Sequence, residues 1–245
     1  MHRVLREALQ QAFDDNVLAR NPADSVKPPK VERKEMPVVN VDGAVELIER
    51  ARGTRLFRPI FLGVQCGMRR QEITALRWRN VNWQDGFISV VMATEQTKKG
   101  CREKETKSGK GRRAIELSAA AIEELRSHRA RQAEELLSLG VRLTDDHHVV
   151  AREDGRPLQP RSLSHAMLKF ARPHTRVRLH GLRHSHATHM LGANVHPKIA
   201  QERLGHSSIG VTLDLYSHTM PGMQREAMSR VDAALQAALD RKSKC

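Results

Sequence analysis

A chain of 245 residues holds one large domain, or a medium one with a fragment, and 39% hydrophobic with 29% charged residues exclude global disorder. Aromatic residues are only 3%, so aliphatic side chains and alanine must build the core. The net charge of +14 and a pI near 10.4 point to a polyanion, because every phosphate neutralised releases condensed counterions; repressors, ribosomal proteins and nucleases all remain open.

The first predicted element is an amphipathic helix over residues 4–18, with Leu5, Leu9, Ala12 and Phe13 on one stripe. Asn21-Pro22 is expected to end it, since a residue before proline is pushed out of the helical region. Pro28 and Pro29, flanked by Lys27 and Lys30, then form a stiff, solvated strap. Continuous globular patterning starts at Val38. Asn40 is placed to cap a helix through Arg50, an apolar helix over 56–64 leads to a break at Gly67, and a further helix spans 69–78 with Ile73 and Leu76 inward.

Residues 87–94 alternate like a strand, as do 113–117, and the lysine- and glycine-rich stretches between them read as turns of one small antiparallel sheet. Ser118 caps a long helix toward Gly140, with Ile122, Leu125, Ala133 and Leu136 at helical spacing. A short strand at 148–151 is followed by helices over 161–171, 181–192, 197–204 and 207–216. A last amphipathic helix covers 224–239. The fold class expected is α+β, mostly α-helical with that one small sheet.

Cys66, Cys101 and Cys245 have no paired spacing, so neither a disulfide framework nor a zinc ribbon is expected, and a reducing cytoplasm suits them. No apolar run is long enough to cross a bilayer, and the N-terminus lacks a secretory pattern. The protein is expected to be soluble and cytoplasmic.

Arg69, Lys107, His180, Arg183, His206 and Tyr216 together suit attack on a phosphodiester. The five-coordinate species carries charge on its non-bridging oxygens, so catalysis is mainly positioning and electrostatics. Arginine donates paired hydrogen bonds and stays protonated. Histidine donates or accepts a proton, lysine protonates a departing oxygen, and a tyrosine hydroxyl forms a covalent intermediate without a metal. Gly67 precedes Arg69 at a helix start, and Glu72 one turn on can orient its guanidinium. His180 and His184 at i, i+4 invite a zinc reading, but a metalloprotease helix needs glutamate after the first histidine. Gly181 stands there, with Arg183 nearby to repel a cation, so no metal is expected.

These strings resemble a known family, the tyrosine recombinases or phage integrases. Its first-arginine motif, Thr-Gly-x-Arg-x-x-Glu, is matched by Gly67, Arg69 and Glu72, with Cys66 in the threonine place. His180 and Arg183 match its His-x-x-Arg, Leu204, Gly205 and His206 its Leu-Gly-His, and Tyr216-Ser217-His218 its nucleophile string after Thr212-Leu213-Asp214. The sheet lysine is best matched by Lys107, although Lys98, Lys99, Lys104 and Lys110 are close by. Taken singly, Arg69 is an ordinary helix-start residue, His206 a helix C-cap histidine and Tyr216 a packing tyrosine. Four motifs in order outweigh those readings.

The resemblance implies the integrase catalytic fold over residues 36–245, with a C-terminal helix at 223–240. Residues 1–35 would be the last helix and linker of a core-binding domain. It further implies a DNA strand-exchange enzyme using Tyr216 as nucleophile, Arg69, His180, Arg183 and His206 as phosphate stabilisers and Lys107 as acid, without a cofactor. Double-stranded DNA is the expected partner, with self-association through the C-terminal helix and accessory bending or directionality factors. A type IB topoisomerase, which rejoins the original strand, and a non-catalytic DNA-binding remnant are the alternatives.

Overall fold

The computed structural model describes residues 2–28, 37–97, 100–106, 111–210 and 212–213, and then 228–229, 231–233, 235–236 and 239–241. Two compact units divide between Glu35 and Met36. No described helix is long and apolar enough to cross a membrane.

In the first unit, helix α1 (His2–Asp14) stops well short of the proline that was expected to end it. Asn16 turns left-handed at φ 57°. Its N–H then reaches Phe13 O and the Val17 N–H reaches Ala12 O, both at 2.9 Å, satisfying carbonyls the helix end would leave open. Asn21 instead opens a 3-10 turn, Pro22–Ser25, by accepting from the Ala23 N–H at 3.0 Å. Its side-chain amide donates back to Arg6 O and Gln10 Oε1, folding the turn onto α1.

The second unit is built around helix α3 (Phe57–Cys66), whose residues are buried from Phe57 through Val64. Helix α2 (Val41–Ala51), capped by Asn40 Oδ1 on the Gly43 N–H, lies before it in the chain and packs Leu47 and Ala51 into the core. Fully buried aliphatics such as Ile60 and Leu62 are each stabilising by about 1.5–3 kcal/mol. Gly67 closes α3 at φ 60°.

Helix α4 (Arg70–Ala75) is shorter than expected. Residues 76–79 leave the helix because their backbone bonds elsewhere: Leu76 O accepts from Val149 N–H, while Trp78 and Arg79 donate to His147 O and Asp145 O. The Trp78 indole, buried in the 3-10 turn Trp78–Asn80, donates to Gln132 Oε1 at 2.7 Å. The strand expected at 148–151 is reduced to two isolated bridges, Arg77 with His148 and Ala151 with Pro157.

The expected single sheet is two. Strands β1 (Val81–Asn82), β2 (Phe87–Val90), β3 (Met92–Thr97), β4 (Gly100–Glu105) and β5 (Arg113–Glu116) pair as β1-β2-β5 and as a separate antiparallel hairpin β3-β4. The chain changes partner at Val91. Ile88 and Val90 point into the core opposite Ile115 and Arg113, whereas Val91 O takes the Thr106 N–H and the following residues pair with β4.

Helix α5 (Ala119–Ser138), capped by Ser118, sends Leu125 and Leu136 inward. Helices α6 (Pro160–Ala171), α7 (Leu179–Gly192) and α8 (Pro197–Leu204) follow. Of the helices expected over 207–216 and 223–240 only scattered residues are described, and 209–210, 212–213 and the described ones from 228 on are helical.

Candidate active site

Two arginines are held at the end of α8 by consecutive carbonyls. Arg183, buried on α7, donates from Nη2 to Leu204 O at 2.5 Å and from Nη1 to Gly67 O at 2.7 Å. Arg69 donates from Nη2 to Gly205 O at 2.7 Å. Those carbonyls are open because α8 stops at Gly205, which is left-handed at φ 65°. His206 is the next residue, so Arg69, Arg183 and His206 converge on one helix terminus. A guanidinium has five N–H donors, and two such bonds leave each arginine with donors to spare.

Glu72 fixes the other side of Arg69. Its carboxylate takes the Arg69 N–H at 2.8 Å and Nη1 at 2.7 Å, closing a capping box at the start of α4. The same carboxylate accepts both Nη atoms of Arg113, at 3.0 and 2.8 Å. Arg113 Nε donates to Arg203 O, which ties strand β5 to α8. Burial works to raise the Glu72 carboxyl, but the bonds and charge of Arg113, with the charge and backbone bond of Arg69, outweigh it and hold it below the usual carboxylate range. Burial lowers Arg183 to about 9, helped by the charges of Arg69 and Arg113 and opposed by Glu72; it stays protonated at neutral pH.

The histidines nearby are neutral. Burial, then the charges of Arg183 and Arg69, lowers His206 to about 4. Its Nδ1 lies 2.9 Å from Thr212 Oγ1, a hydroxyl that donates to Nδ1 in one tautomer and accepts from it in the other. His180, with an exposed face in the first turn of α7, is lowered below its ordinary value by partial burial and by Arg183, Arg69 and Arg70. It meets His184 edge-on, with ring centroids 4.7 Å apart. His184 is lowered to about 4 by burial and by His180, and both its ring nitrogens lack a hydrogen-bond partner.

Beside Arg69 and His180 opens a cleft of about 560 Å³, lined also by Arg70, Arg178, Ser164 and Leu168. Its basic rim suits an anionic chain. A second recess, of about 340 Å³ around Arg58 and Glu124, holds none of the motif residues. Among the described residues, no group of three or more His, Cys, Asp or Glu side chains is placed to hold a metal ion.

The structure therefore brings together Arg69, Glu72, His180, Arg183 and His206. Lys107 and Tyr216 lie outside the described residues. Sequence reasoning missed Arg113, Arg203, His186 and Thr212 as supports. Arg203 donates to Glu116 O, Gln65 O and His186 Nε2, while His186 Nδ1 bonds Val64 O. Their local strings had been visible, but nothing in them announces a partner 41 or 87 residues away in the chain.

The phage integrase family model matches residues 43–222. The chain belongs to the phage integrase family. A tyrosine recombinase XerC-like protein of Caldanaerobacter subterraneus is 26% identical over 254 residues, covering 95% of this chain and 64% of that protein. The ICEBs1 integrase of Bacillus subtilis is 26% identical over 248 residues, covering 94% and 64%. The chain thus spans 64% of the length of these curated relatives. The fold is that of the solved integrases. The Tn1549 transposon integrase in complex with a circular intermediate DNA superimposes with a TM-score of 0.76 at 17% identity, over 94% of this chain and 77% of that one. A lambda integrase tetramer bound to a Holliday junction gives 0.60 at 18%, over 87% and 57%.

Proposed function

We propose that this chain is the catalytic part of a site-specific DNA recombinase that integrates or excises a phage or other mobile element. The observation that carries the reading is the pair of guanidiniums, Arg69 and Arg183, seated on consecutive carbonyls immediately before His206. Two fixed cations and a neutral histidine at one spot match the charge that develops on a phosphorane.

The Tyr216 hydroxyl oxygen attacks the scissile phosphorus and forms a 3′-phosphotyrosyl bond as the bond to the 5′ oxygen breaks. Neutral His180 accepts the tyrosine proton, consistent with its lowered pKa. Lys107 gives a proton to the departing 5′ oxygen. Arg69 and Arg183 bind the non-bridging oxygens, Glu72 keeps Arg69 in place, and His206 donates from Nε2 when the Thr212 hydroxyl donates to its Nδ1. A partner strand's 5′-hydroxyl then reverses the step, so bond energy is conserved and no nucleotide or metal is consumed.

Double-stranded DNA is the partner, and the charge of +14 supports it. Relatives named recombinase and integrase favour strand exchange over rejoining of the original strand. Residues 1–35 are read as the last helix and linker of a core-binding domain, and 36–245 as the catalytic domain. Self-association on DNA would use the C-terminal helix at 223–240, where Met228, Val231, Leu235 and Leu239 are exposed. Accessory bending or directionality factors would act with it in the bacterial cytoplasm, at the nucleoid.

A nicked duplex carrying the end of the element that encodes the protein tests the reading. Incubation should give a protein–DNA band stable to denaturant, and Tyr216→Phe should abolish it. No such band from the intact protein overturns the proposal.

A further inference from the structure

The β3–β4 hairpin carries Glu103 on the strand that leads directly toward Lys107. Glu103 pairs in register with Thr94 across the hairpin, but its carboxylate reaches off the hairpin altogether. Arg77 Nη2 donates to both of its oxygens, at 3.0 and 2.9 Å, and His148 Nε2 lies 2.6 Å from Oε1. Arg77 and His148 face each other in an antiparallel bridge, so their side chains leave the backbone on the same side and form one socket. That socket is rigid. Gln132 Nε2 donates to His148 O, Arg77 Nη1 donates to Asp146 O, and His148 is buried.

The ion pairs of Glu95 do a different job. Glu95 pairs with Arg102 and Lys104, and these run across the hairpin itself. They hold its two strands together without fixing it to the helices. They also occupy Lys104, one of the lysines near Lys107. Glu103 spans from the hairpin to the contact between residues 77 and 148, while Glu105, the last residue of β4, pairs with Arg112 just ahead of β5. Beyond Glu103 the pairing persists to the Thr106 N–H on Val91 O at 3.1 Å, one residue before Lys107.

We propose that Glu103, seated in the Arg77–His148 socket, is a positioning residue that fixes strand β4 up to Thr106, the residue before Lys107 in the chain, for the proton transfer to the departing 5′ oxygen. The inference rests on the strand-cleavage reading above. An acid displaced by about 1 Å loses much of its effect, because proton transfer requires hydrogen-bond distance in the transition state. Losing the socket therefore slows breakage of the bond to the 5′ oxygen while leaving the arginine frame and DNA binding intact.

The test compares cleavage of an ordinary nicked duplex with one whose scissile 5′ oxygen is replaced by sulfur. The thiolate leaves without a proton, so an acid defect disappears on it. Glu103→Ala is expected to slow cleavage of the oxygen substrate about tenfold or more and to match the intact protein within about twofold on the sulfur substrate. Glu103→Gln, which keeps size and loses charge, should show the same selectivity to a smaller degree. It decides the matter if the alanine variant fails to fold. Lys107→Ala supplies the reference for complete loss of the acid. Equal slowing on both substrates, or none on either, overturns the positioning role, as does a Lys107→Ala variant without sulfur rescue. Failure of the intact protein to form a covalent adduct on either substrate is a separate result and removes the proposed function itself.

Discussion

The arginine frame and the β3–β4 hairpin are both rich in ion pairs, yet they are built on opposite terms. In the frame, Glu72 and Arg113 are almost wholly removed from water, at 3% and 6% side-chain exposure, and Arg183 is fixed by two of its five donors on the carbonyls of Gly67 and Leu204. On the hairpin, Arg102 is largely exposed and Glu95 part-exposed. Buried charges interact strongly and are costly to leave unpaired, whereas exposed pairs are screened by water and salt. One region can therefore hold its charged groups without reorganising, and the other is held to its surroundings chiefly where Glu103 meets Arg77 and His148 and where Glu105 meets Arg112. For the proposed strand cleavage the division is apt, because a fixed site would meet the phosphate.

Removing Glu72 breaks the frame at its centre. Glu72→Ala leaves Arg113 and Arg69 facing each other without a counter-charge, at a cost of about 3–5 kcal/mol; urea unfolding at pH 7 reads it. The pH dependence has a definite sign. The folded carboxyl lies below its ordinary value, so its contribution is complete above the unfolded pKa and is lost as pH falls through the folded one. The difference between wild type and Glu72→Gln should shrink on acidification through that window. A constant difference down to pH 3 would show that Arg113 does not depend on the ionised carboxylate.

Much of this frame was legible in the sequence, and the reason it stopped where it did is physical. Caps are local: Asn40 and Ser118 bind an N–H three residues on, so their helices could be placed at once. The motif residues were legible because their types match a chemistry. Arg113 was not, because alternation along a strand says which face a residue takes and nothing about a carboxylate on another element. The end of α1 was misjudged for a related reason. Proline's effect is categorical and invited the boundary, while Asn16 offered a left-handed cap that asparagine adopts only at some positions. The split of one sheet into two at Val91 depended on Thr106, fifteen residues away, which alternation cannot reveal.

Gly67 tests how closely the frame is fitted. Its φ of 60° is strained for any side chain, and a Cβ there would stand 2.6 Å from His186 Cδ2 and 2.8 Å from Leu204 Cδ2. His186 cannot swing aside freely, since its two ring nitrogens are tied to Val64 O and Arg203 Nε. Gly67→Ala is expected to cost about 2–3 kcal/mol from backbone and overpacking together. It should also slow adduct formation, because Gly67 O seats Arg183. Normal unfolding with normal cleavage would mean that the helix end can yield without disturbing Arg183.

The smallest effect should come from the hairpin's exposed pairs. Glu95→Ala removes the partner of Arg102 and Lys104, but all three groups keep access to water. The two arms are already joined by the backbone register from Met92 with Glu105 to Thr97 with Gly100, so the pairs add little that the strands do not supply. The unfolding midpoint should stay within measurement error of wild type, and cleavage should be unchanged on the oxygen and sulfur substrates alike. Adding salt should narrow any residual difference. A Glu95→Ala defect as large as that of Glu103→Ala, and rescued by sulfur in the same way, would mean that the hairpin is positioned by its own internal pairing. The contrast between a pinned strand and free surface charge would then disappear.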